Sequence, residues 1–94
     1  MPAMNATITV PLGMLVATPN ALAHVNSGEI QKALQRHVIG DWGELDAEDK
    51  KANDEALQSG ERLLSAYKTA TGTKFWIITE ADRSVTTVLL PEDY

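Results

Sequence analysis

The sequence predicts an α+β fold in which two to three helices pack on one face of a small antiparallel β-sheet. Helical periodicity is confined to residues 19 to 60, and from residue 63 onward the pattern turns to alternation rich in β-branched and aromatic residues. The connectors between the late strands are short enough for hairpins, so a three-stranded C-terminal meander is the economical arrangement, with helices collected on one side of it. An N-terminal strand can join that sheet. Ninety-four residues make one domain with one core, residues 1 to 94, of which 1 to 6 are expected to be disordered.

Residues 7 to 17 read as extended, with Ile8, Val10 and Leu12 alternating on one side. Pro11 and Gly13 make this an edge strand, or a strand pair with a tight bend. Thr18-Pro19 then opens a short helix over about 19 to 26, because Thr18 can accept from a free amide and Pro19 fits the first helical position. In residues 29 to 39 the residues Ile30, Ala33, Leu34 and Val38 form one apolar stripe, and Gly40 stops the helix. Residues 41 to 45 make a linker from which Trp42 and Leu45 can enter the core. A third helix starts at Asp46 as N-cap, carries Glu48 and Asp49 in its first turn where the helix dipole favours negative charge, and ends near Gly60. Residues 63–67, 74–79 and 85–90 are the three strands, closed by Pro91.

The charge is uneven. Residues 41 to 61 hold eight acids against Lys50 and Lys51, a net of −6 in a chain whose total is −5. That stretch is either a solvated acidic face or a surface for a cationic partner. The acidic balance argues against direct nucleic-acid binding, which draws most of its affinity from Lys and Arg on phosphates. The absence of cysteine removes disulfides, thiolate metal sites and a thiol nucleophile, and suits a cytoplasmic setting. The apolar run from Ala6 to Ala17 is interrupted by Thr7, Thr9, Pro11 and Gly13 and lacks a basic start, so it reads as neither signal peptide nor membrane anchor. No Walker loop, GxGxxG, GxSxG or HExxH motif occurs, so no cofactor is expected.

Candidate chemistry is sparse. His37, at the edge of the apolar stripe, either serves acid/base work beside a cleft or packs as a boundary histidine. His24, near a helix end, meets the dipole well. Asp46, Glu48 and Asp49 lack the spacing of a calcium loop and fit a helix start, so no metal is expected. Glu80, Asp82, Arg83 and Ser84 share a hairpin loop with Thr86 and Thr87 nearby; the loop is either a binding or catalytic cluster or a turn capped by Asp82 and paired internally. Phe75 and Trp76, as neighbours on a strand, must face opposite sides of the sheet. One is core. The other needs a covering helix or leaves a patch that marks a partner surface.

Several blocks carry a resemblance: His37-x-x-Gly40-Asp41-Trp42-Gly43, Asp49-x-x-x-Asn53-Asp54, Arg62 to Tyr67 as RLLSxY, and Trp76 to Pro91 as WIITExDRSxTTxLLP. Together, over roughly residues 12 to 94, they resemble a family of small bacterial proteins found among plasmid, integrated-element and phage genes. Some members carry the label of a type I restriction endonuclease M subunit. The motif residues are His37, Asp41, Trp42, Asn53, Asp54, Arg62, Tyr67, Trp76, Glu80, Asp82, Arg83 and Ser84; they bring no established activity. The methyltransferase chemistry of an M subunit needs a Gly-rich S-adenosylmethionine loop that this chain lacks.

The expectation is therefore a non-enzymatic interaction module of mobile-element origin, acting on restriction or CRISPR defence. Its contacts would run through Asp41, Trp42, Glu44, Asp54, Trp76, Glu80, Asp82, Arg83 and Ser84, to a protein partner such as a basic nucleic-acid-binding effector and not to a membrane. The competing expectation is a small metal-independent hydrolase or nuclease-like toxin with His37, Glu80, Asp82 and Arg83 in one cleft.

Overall fold

The structure is a computed structural model that describes residues 10–94; the expected disorder of residues 1–6 and the start of the predicted N-terminal strand lie outside them. Strand β1 spans Met14–Ala17, helices α1, α2 and α3 span Pro19–His24, Ser27–Val38 and Ala47–Ser59, and strands β2, β3 and β4 span Leu63–Lys68, Lys74–Thr79 and Val85–Leu89. A 3-10 turn, Pro91–Asp93, closes the chain. Among the described residues no helix is long and apolar enough to cross a membrane.

The meander is present: β2 pairs antiparallel with β3, and β3 with β4. The N-terminal strand joins it, but in parallel, Met14 to Ala17 lying beside Val85 to Val88, so the sheet is mixed with order β1-β4-β3-β2. The all-antiparallel expectation is corrected here by direction alone. The three helices carry the chain away from β1, and two hairpin turns bring β4 back running the same way.

Local chemistry sets the boundaries. Thr18 Oγ1 accepts from Ala21 N at 3.1 Å with Pro19 following, the predicted start of α1. The helix is shorter than the expected 19–26, because Val25 is extended and turns its side chain into the core. Asn26 caps α2, its Oδ1 accepting from Glu29 N at 2.9 Å. Asp46 caps α3 through Asp49 N at 2.8 Å, and Gly60, in the left-handed region at φ 78°, ends it.

Sheet alternation fixes two unlike faces. Leu63, Ser65 and Tyr67 of β2, Phe75, Ile77 and Thr79 of β3, and Thr86 and Val88 of β4 share the first face by register. All three helices lie on it. Ala21 and Val25 of α1 with Ile30, Ala33 and Leu34 of α2 pack on Tyr67, Phe75, Ile77 and Val88. Ala56 of α3 joins Val10, Trp42 and Leu63 in a second cluster, against which Leu45 and Leu57 are packed. Each large apolar side chain taken from water in these clusters contributes about 1.5–3 kcal/mol. Among the described residues the opposite face carries no α-helix; the C-terminal tail reaches it, with Tyr94 edge-on to Trp76, and Ile78 and Leu89 there are buried.

The sheet's two edges are also unlike. On β2, Asn53 of α3 bonds both backbone groups of Leu64, and Trp42 O and Glu44 N take Ala66 N and Ala66 O at 3.2 and 2.7 Å. This close approach requires Gly43, at φ 76°, since a Cβ there would strike Ala66 O and the Tyr67 ring. On β1, by contrast, Met14, Leu15 and Val16 are exposed and uncharged. No described residue pairs with its outer side.

Candidate functional site

His37 projects from α2 onto the covered face and is fully buried. Its Nδ1 lies 2.6 Å from Ser65 Oγ and its Nε2 2.8 Å from Thr79 Oγ1; Thr79 Oγ1 lies 2.8 Å from Thr86 Oγ1, whose hydroxyl donates to Leu12 O at 2.8 Å. The directions follow from the carbonyl end. Leu12 O can only accept, so Thr86 donates to it and accepts from Thr79, which in turn accepts from the Nε2–H of a neutral ring. Nδ1 is then bare and accepts from Ser65. Every buried donor finds an acceptor only while the imidazole is neutral, and burial, with the positive charge of Arg83 second, pulls its pKa from 6.5 to about 4. The ring of Trp42 stands edge-on to it at 5.5 Å.

The loop cluster is consumed internally. Arg83 adopts the left-handed region at φ 62° and spreads its guanidinium over the carbonyls of Glu61, Glu80, Ala81 and Ala56 at 2.7 to 3.3 Å, which closes the C-terminal end of α3. Asp82 accepts from both Ser84 Oγ and Ser84 N, at 2.6 and 3.0 Å, and these bonds hold its carboxyl below the usual range. Glu80 pairs with Arg62 at 3.2 Å. The structure thus does not bring His37, Glu80, Asp82 and Arg83 into one cleft: the imidazole is sealed beneath the helices, and the Glu80 carboxylate meets an exposed arginine.

Other motif residues hold the fold. Asp41 grips Arg36 through two bonds at 2.7 and 3.2 Å, which lower its pKa, and its carbonyl accepts from Tyr67 Oη at 2.8 Å. Arg36 in turn lies 5.0 Å over the Tyr67 ring. Trp42 is buried and donates Nε1–H to Asp54 at 2.9 Å. His24 donates from Nδ1 to Asn20 O at 2.9 Å in an exposed position. Asp46, Glu48 and Asp49 form the start of α3, and among the described residues no group of three or more His, Cys, Asp or Glu side chains converges as metal ligands.

Trp76 and Glu44 are different. Trp76 lies on the helix-free face, half-buried, opposite Ala66 in the register, with Tyr94 edge-on at 5.7 Å. Because Ala66 is small, the space beside the indole stays open as a cleft of about 440 Å³, bounded by Glu44, Ala66, Lys68, Lys74, Trp76 and Pro91. Along the same face run the half-buried Leu64 and Thr87, the buried Ile78 and Leu89, and the exposed Met14 and Val16 of β1. Tyr94, 71 % exposed, accepts from Arg62 Nη1 at 3.0 Å and extends the aromatic surface.

Sequence reading singled out Trp76 and Glu44 without placing them together, and it missed Lys68, Lys74 and Tyr94. It also missed Ser65 and Thr79, and placed Thr86 beside the loop cluster rather than in the buried chain below His37. No family model, no curated protein and no solved structure matches this chain.

Proposed function

We propose that the protein is a non-enzymatic interaction module whose contact surface is the helix-free face of the sheet, centred on Trp76 and Tyr94. The observation that carries this reading is the one-sided packing of α1, α2 and α3, which leaves a half-buried indole, an exposed phenol and the exposed side chains of Met14 and Val16 on an apolar strip that no α-helix of the described residues covers. Aromatic groups with one polar tip, on a rigid sheet, supply contact area at little entropic cost. Such a strip marks an interaction surface more often than a catalytic one. The burial and neutrality of His37 weigh against acid/base catalysis.

The resemblance to mobile-element proteins supports a role beside restriction or CRISPR defence. A second reading, mimicry of DNA toward a basic effector, is favoured by the exposed carboxylates of Glu48, Asp49 and Glu55 on α3, for which no ion pair within 4.0 Å occurs among the described residues. The two differ in their response to salt and to mutation. Capture of one defined partner from the native host should be lost in a Trp76→Ser/Tyr94→Ser protein that keeps its fold, and should change little between low and moderate salt. Retention by that variant, with steep weakening on added salt and loss in a Glu48→Gln/Asp49→Asn/Glu55→Gln protein, would transfer the function to the acidic helix.

A further inference from the structure

The cleft beside Trp76 has two cations where a stable sheet would avoid them. Lys68 and Lys74 stand directly opposite one another in the β2–β3 register, on the helix-free face and next to the Ala66/Trp76 pair. Like charges in that relation repel. Both side chains are exposed, and neither forms an ion pair within 4.0 Å among the described residues, although the chain carries thirteen acidic residues. Eight bases in all serve this chain, and two of them meet at the mouth of a 440 Å³ cleft, within the range of roughly 300–1,000 Å³ that ligand sites occupy.

We propose that Lys68, Lys74 and Trp76 form a subsite for an acidic side chain of a partner protein, with an adjoining apolar residue of the same segment laid against the half-buried indole. This rests on the open face being the contact surface and names the chemistry that the surface selects. The two ammonium groups supply the charge and the open space opposite Ala66 supplies the seat. Glu44 on the wall leaves the cleft with a net charge of only about +1, which accommodates a carboxylate but opposes the continuous phosphates of a nucleic-acid strand. The net charge of −5 opposes such a strand again at long range.

The test titrates the whole chain with a capped eight-residue peptide carrying a central Leu-Glu-Glu-Phe, and with its Leu-Gln-Gln-Phe counterpart, following amide and indole N–H resonances. The acidic peptide should move the Trp76 indole and the Lys68 and Lys74 amides while leaving the buried Trp42 indole in place. Its affinity should fall about tenfold or more for the Gln peptide, and equally in a Lys68→Gln/Lys74→Gln protein, as expected for the loss of one or two charge-assisted contacts. Equal response to both peptides, no response at millimolar peptide, or tighter binding of single-stranded oligothymidine at the same resonances would overturn the proposal. If the lysine variant still captures the host partner while the Trp76/Tyr94 variant does not, the subsite fails and the contact face stands. If neither variant affects capture, the face itself is at fault.

Discussion

His37 sits where a catalytic base would be noticed and is fixed by its neighbours in a form that cannot act as one at the surface. Its folded pKa of about 4 lies below the ordinary 6.5, so the unfolded chain binds a proton first as pH falls. The stability that the neutral ring contributes is complete above about pH 6.5, declines between 6.5 and 4, and levels off below; a shift of this size corresponds to roughly 3 kcal/mol. Urea midpoints measured across that window should fall with pH in the native protein and show a flatter profile in His37→Gln. The His37 ring C–H resonances should stay essentially unmoved down to about pH 5.5. A titration near 6.5 would contradict the hydroxyl chain. The same scale holds Arg83, whose strained backbone is tolerated because its fork reaches four carbonyls. Arg83→Ala should cost about 1–3 kcal/mol in chemical denaturation, and Arg83→Lys should recover little, since an ammonium cannot span those carbonyls. Neither network was legible from residues alone. The partners of His37 lie 28 and 42 positions away, and only the polar interruptions Ser65, Thr79 and Thr86 on inward-facing strand positions hinted at them.

The elements themselves were largely written in local chemistry. Thr18-Pro19, Asp46 and Gly60 marked helix ends that caps and backbone dihedrals reproduce, and alternation placed β2, β3 and β4 within a residue or so. The N-terminal strand joins the sheet as expected, but its direction was not legible: β1 meets β4 across some 70 residues, and no local preference encodes whether that meeting is parallel. The clasp of α3 on the β2 edge is equally long in range, yet one residue carries it. Asn53→Ala removes both bonds to Leu64 and leaves an edge amide and carbonyl without their partner, so thermal unfolding should report a loss of about 1–3 kcal/mol. The β2–β3 hairpin should respond in the opposite sense. Lys74→Glu turns a repelling cross-strand pair into an attracting one and should raise stability by about 0.2–1 kcal/mol while removing the acidic-peptide response. A lysine pair retained for packing alone would show no such exchange of stability against binding.

The whole molecule is asymmetric. Three helices on one side seal Phe75, Trp42 and His37, and the sheet's other side is left to Trp76, Tyr94, the two lysines and the strip that ends in Met14 and Val16. The alternation of Phe75 and Trp76 on a single strand made that choice visible in the sequence, but which residue would be covered depended on where the helices fell. The measurement that bears most directly on the claim is site-specific photo-crosslinking in the native host. A benzophenone amino acid replaces either Thr87, on the open face, or Gln31, exposed on α2. The account predicts a discrete protein adduct from position 87 and none from position 31. An adduct formed only from position 31 would place the partner on the helical side and contradict it.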